Sequence, residues 1–81
     1  MKTMIVLAKE ILEKEREMEF EKIFSHIQEK LQEKWNVSLN ANEENAIENL
    51  LVKKRGELYR LLTVDSNFKR LNDGRWTLKK Y

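Results

Sequence analysis

Apolar residues recur along the first dozen positions at spacings of three and four: Met4, Ile5, Leu7, Ala8, Ile11 and Leu12. That period gathers them on one side of a helix, and Thr3 is placed to cap its start. The stretch Glu13 to Glu19 is almost wholly charged and has nothing to bury, so it predicts the first connection. Within it Met18 and Phe20 alternate with Glu17, Glu19 and Glu21, which allows a very short strand. Helical spacing resumes with Phe20, Ile23, Phe24, Ile27, Leu31 and Trp35, while Glu29, Lys30, Glu33 and Lys34 fill the opposite, solvated face. Asn36 to Ala41 is polar and reads as a loop. Asn42 then caps a third helix, with Glu43 and Glu44 at the positive end of its dipole.

The third helix carries Ala46, Ile47, Leu50, Leu51, Leu58, Leu61 and Leu62. Leu51 and Leu58 stay in register across Lys53, Lys54, Arg55 and Gly56, so a single helix over about 43–64 is expected, with Gly56 costing about 1 kcal/mol. A break at Gly56 is the alternative. Next come Phe68 to Leu71, then Asn72-Asp73-Gly74, then Arg75 to Leu78, which is a hairpin pattern. Asp-Gly favours a two-residue type I′ turn, because both central residues need positive φ. That turn sets Leu71 opposite Trp76 with Leu78 on their face, and leaves Phe68 on the wrong one. The expected core is Ile5, Ala8, Ile11, Leu12, Phe20, Phe24, Ile27, Ile47, Leu51, Leu58, Leu62, Phe68, Leu71, Trp76 and Leu78. Phe20, Phe24, Trp35, Tyr59, Phe68 and Trp76 sit at core-facing spacing and read as core rather than as a base-stacking platform; Tyr59 and Trp35 fit least well. The fold class is therefore α+β and mostly helical. Three helices, the second and third elongated, precede a C-terminal β-hairpin, with a very short first strand, in a winged helix-turn-helix layout.

Composition narrows the class. The chain has 81 residues, no cysteine, no proline and two glycines, which suits one small helical domain spanning 1–81 and excludes disulfides and thiolate metal sites. Its longest apolar run, Met4 to Ala8, is far short of a membrane span, and no signal-peptide core opens the chain. A soluble, cytoplasmic domain is expected.

Charge is unevenly spread. Residues 1–48 hold seven Lys/Arg against eleven Glu, whereas residues 49–81 hold nine Lys/Arg against Glu57, Asp65 and Asp73. A basic C-terminal portion suits a polyanion or an acidic protein surface, and equally suits solvated lysines on helix and hairpin faces. Lys53, Lys54, Arg55 and Arg60 on the helix, with Lys69, Arg70, Arg75, Lys79 and Lys80 on and after the hairpin, are the candidate partner-binding residues, for nucleic acid or for an acidic protein surface. Base readout has less support, because Glu57-Leu58-Tyr59-Arg60-Leu61-Leu62-Thr63 offers Arg60 and little else.

Catalysis finds little footing. His26 is the single histidine, and Ser25 beside it on a helix diverges by about 100°, so the two cannot form a nucleophile–base pair. A zinc site would need further ligands. The glutamates interleave with lysines, as in Glu13-Lys14-Glu15-Arg16, and read as surface ion pairs. No catalytic residue, metal, cofactor or small-molecule substrate is expected, and His26 is read as structural.

The order of residues, beyond the pattern, resembles the folded N-terminal domain of bacterial RNA polymerase delta subunits, in the HARE-HTH winged-helix group. The likeness lies in Ile5-Val6-Leu7-Ala8-Lys9-Glu10-Ile11-Leu12, in Met18-x-Phe20 followed by Phe24, and most specifically in Leu58-Tyr59-x-x-Leu62-x-Val64-Asp65-x-x-Phe68-x-x-Leu71-x-Asp73-Gly74-x-Trp76-x-Leu78. Two departures stand out. The region from Ile27 to Arg55 is longer than the family pattern, and the sequence ends at Tyr81 where delta subunits continue into an acidic tail; either that tail lies beyond this sequence or this member lacks one, so the functions tied to it do not carry over. The resemblance implies a non-catalytic accessory subunit of DNA-directed RNA polymerase (a nucleotidyltransferase complex). It would bind core enzyme, modulate initiation specificity, nucleic-acid affinity and recycling, and lie on the nucleoid through polymerase. It would be a monomer on its own, with at most weak non-specific DNA contact. The alternatives are a winged-helix module that binds DNA through phosphate contacts, and a helical interaction domain sharing only the fold.

Overall fold

A computed structural model describes residues 2–37 and 45–79. Helix α1 (Met4–Glu15) leads into strand β1 (Glu17–Glu19), α2 (Phe20–Val37), α3 (Ala46–Val64) and the strands β2 (Phe68–Arg70) and β3 (Arg75–Leu78). The sheet is antiparallel in the order β1-β3-β2, so the last strand is central and the short first strand is an edge. Three helices and a three-stranded antiparallel sheet make an α+β fold compatible with a small winged helix.

Local chemistry explains each boundary. The Thr3 hydroxyl accepts a hydrogen bond from the Val6 amide, as an N-cap should. Helix α1 runs through Glu13-Lys14-Glu15, further than a charged connection predicts, because solvent-facing charges cost a helix little. It stops at Arg16, whose φ of 71° is left-handed and whose amide donates to the Leu12 carbonyl. The Arg16 carbonyl accepts from the Thr77 hydroxyl at 2.7 Å, which ties this turn to the central strand. Helix α2 continues through Asn36 and Val37, where polarity predicted a loop. Asn45 precedes α3 with a φ of 58° and makes no side-chain cap; the predicted cap Asn42, and Glu43 and Glu44, lie outside the described residues. Helix α3 is continuous through Gly56, as the Leu51–Leu58 register required.

The hairpin turn corrects the sequence reading. Phe68 pairs with Leu78, Lys69 with Thr77 and Arg70 with Trp76. The Leu71 amide donates to the Arg75 carbonyl, and the Gly74 amide to the Leu71 carbonyl, so the loop is Asn72-Asp73-Gly74, three residues long. Gly74 alone in it has positive φ, at 91°, whereas type I′ needs two such residues. The Asp73 carboxylate accepts from the Arg75 amide, a local side-chain bond that braces the turn. One extra loop residue slips the register by one and exchanges the faces. Phe68 is therefore buried on the Trp76 face, and Leu71 leaves it.

The core consists of Leu7, Ala8, Leu12, Ile23, Phe24, Ile27, Leu31, Trp35, Leu58, Leu62, Phe68 and Trp76, with Ile5, Ile11, Met18, Phe20, Leu50, Leu51 and Leu78 packed at its margin. Two expected core residues fail. Leu71 is half-buried and apart from the cluster, for the register reason above, and Ile47 is exposed. Leu7, Ile23, Leu31 and Trp35 take part instead. Helices α2 and α3, each about 27–28 Å long, outrun α1 at about 18 Å. Their overhanging ends pack on each other, which buries Trp35 and leaves Ile47 beyond cover.

Candidate functional site

The α2–α3 pairing decides the fate of the basic run on α3. Lys54 and Arg55 turn toward α2. The Lys54 ammonium sits 5.9 Å from the Trp35 ring centroid and 3.6 Å from Glu57. The Arg55 guanidinium lies 4.8 Å over the Phe24 ring, with its Nε 2.9 Å from Glu21. Phe24 and Trp35 themselves stack at 6.0 Å, so two cations cover one aromatic pair. These are structural positions. Arg75 is likewise engaged, 3.2 Å from Asp73 and 3.6 Å from Glu17 across the β1–β3 pair.

The remaining candidates do not converge. Lys53 and Arg60 are exposed on the outer side of α3, and neither makes an ion pair among the described residues. Lys69 and Lys79 line a cleft of about 990 Å³ between the end of α1 and the far face of the hairpin. Glu13, Arg16 and Glu17 line the same cleft, so its charge is mixed rather than basic. Arg70 lies opposite Trp76, on the other sheet face. Lys80 is outside the described residues. The remaining described candidates thus lie in three separate locations rather than on one basic surface.

A surface that sequence reading missed lies on α3. Val52, Arg55, Gly56 and Tyr59 form a shallow, almost wholly apolar depression with Phe20 from the start of α2. Val52 is 65% exposed and Tyr59 45%. Tyr59 meets Phe20 edge-on at 5.7 Å and Trp76 edge-on at 6.2 Å, so its ring is braced from the core while one side stays open. The signal was present in the sequence: Val52 and Tyr59 repeat at seven residues, parallel to the Leu51–Leu58 row but one position round the helix.

His26 is half-buried beside Lys2, Glu10, Lys14 and Lys30, and Ser25 next to it is exposed. Among the described residues no group of three or more His, Cys, Asp or Glu side chains is placed to hold a metal ion, and no helix is long and apolar enough to cross a membrane. Comparisons with protein-family models, curated proteins and solved structures find no match to this chain. Within the stretch from Leu58 to Leu78, Leu58, Leu62, Phe68 and Trp76 are core side chains, and Gly74 makes the turn.

Proposed function

We propose that the domain is a winged-helix module serving as a non-catalytic accessory subunit of bacterial DNA-directed RNA polymerase, in the cytoplasm, and that it acts by binding a protein surface. The carrying observation is the outer face of α3. In a winged helix this element enters the major groove when the module reads DNA, using polar side chains aimed at base edges. Here it exposes Val52 and Tyr59 beside Gly56, while the charged ends of Lys54 and Arg55 lie over the Trp35 and Phe24 rings of α2. An exposed apolar and aromatic patch braced by the core suits a protein partner better than a duplex.

A second reading, a DNA-binding module working through phosphates, is favoured by Lys53 and Arg60 on that same helix. Tagged domain is used to capture partners from a nuclease-treated lysate of the source organism at moderate salt. Large polymerase subunits retained after nucleic acid is gone support the proposal. Capture that requires DNA, and is lost in a Lys53→Ala/Arg60→Ala double variant, overturns it in favour of the second reading. That pair leaves the inward Lys54 and Arg55 undisturbed, so loss of binding does not reflect loss of packing.

A further inference from the structure

The exposed side of α3 is ordered in rows. Val52 and Tyr59 form an apolar row, Lys53 and Arg60 a basic row, and Asn49, Gly56 and Thr63 a row of smaller residues between them. Every row repeats at seven residues, about 10 Å or two helical turns. Seven is the period at which one helix lies along another with side chains interlocked. The shallow depression lined by Phe20, Val52, Arg55, Gly56 and Tyr59 follows the apolar row, with the basic row beyond Gly56, and an apolar stripe beside a row of cations matches a helix with the opposite order of chemistry.

Two features point to what lies there. Glu57, the carboxylate spaced to pair with Lys53 or Arg60, is held by Lys54 instead, so the basic row has no intramolecular counter-charge among the described residues. Gly56 also has no fold-level reason to be glycine. Its φ is not left-handed, and a Cβ there would meet nothing within 4 Å. Such a Cβ would, however, stand in the lining of that depression.

We propose that the outer face of α3 docks an acidic amphipathic helix of a partner protein. Apolar residues of that helix seat on Val52 and Tyr59, its carboxylates face Lys53 and Arg60, and its backbone comes close at Gly56. The proposal rests on the protein-binding reading above and names its partner's chemistry.

The test is an NMR titration of the domain with a synthetic helical peptide of about three heptads, Leu in its core positions and Glu flanking them. A twin peptide has Lys in place of Glu. The expected result is saturable shifts centred on Val52, Gly56 and Tyr59, with the Lys twin about tenfold weaker or more. Gly56→Leu should weaken binding about tenfold by filling the depression, while its melting temperature stays at or above wild type. Shifts centred elsewhere, equal binding by both peptides, or unchanged binding by folded Gly56→Leu would each overturn the proposal. So would tighter occupation of the same face by duplex DNA or by a second copy of the domain. The two readings fail separately. Polymerase captured equally well by Gly56→Leu defeats the docking face alone, whereas peptide binding without polymerase capture defeats the polymerase reading alone.

Discussion

Helices α2 and α3 are nearly equal in length, 18 and 19 residues, yet they are used differently. Helix α2 buries Ile23, Phe24, Ile27, Leu31 and Trp35, one side chain per turn or better along its whole length. Helix α3 buries only Leu58 and Leu62, both in its second half, and exposes Ile47, Val52, Tyr59 and Val64. Both run past the small sheet and the shorter α1. Helix α2 spends its apolar side on the core, whereas α3 divides its apolar residues between an inner stripe and an outer one. The difference teaches that α2 is a packing element and that α3 is a presenting one, held by its C-terminal half and by Lys54 and Arg55 on the α2 aromatics.

The sharpest break of that comparison would come from the sheet that anchors α3. Trp76 is 4% exposed, pairs with Met18 on one side and Arg70 on the other, and supports Tyr59. Trp76→Ala should cost about 3–5 kcal/mol, much of what a domain this small possesses. Wild-type thermal stability in that variant would mean the hairpin is an appendage and α3 is anchored elsewhere.

A direct contrast on α3 itself comes next. Leu58 is fully buried, and Leu58→Ala should cost about 2–5 kcal/mol. Val52→Ala, on the outer row, should change stability by about 0.5 kcal/mol or less. Chemical denaturation of the two variants measures both, and a Val52→Ala loss comparable to that of Leu58→Ala would erase the distinction between the stripes. Smaller again is Gly74→Ala. At a φ of 91° an alanine is strained by about 1–2 kcal/mol even though space is open around it. A neutral result would show that the turn does not depend on a left-handed residue at position 74.

The hairpin also marks the limit of what sequence shows. Strand positions, helix periods and the continuity of α3 follow from spacing alone, because burial enforces period. The register does not. Asp-Gly serves a two-residue turn or the last two places of a three-residue loop, and only the balance of Phe68 against Leu71 on the buried face selects between them. Phe68, next to the core, is the larger side chain to bury, and it prevails. The candidate site was legible only as charge. Which cations lie inward depends on α2 placing Trp35 beneath Lys54 and Phe24 beneath Arg55, contacts between residues 19 and 31 positions apart. The apolar outer row was visible as a second heptad row, but the adjacent Leu row hid it.

One small effect has a sign that separates structure from use. Gly56 lies inside α3, ten residues from its first residue and eight from its last, where glycine costs a helix about 1 kcal/mol relative to alanine. Nothing in the fold offsets that cost: φ is ordinary, and an added methyl would touch no atom within 4 Å. The comparison of the two helices supplies the reason, since glycine stands on the presenting face of α3 and α2 has none. Gly56→Ala should therefore stabilise the isolated domain by about 0.5–1 kcal/mol, seen as a rise of a few degrees in Tm. An alanine that destabilises the domain would show that the backbone needs glycine there for its own sake, and would remove the argument that the face is shaped for a partner.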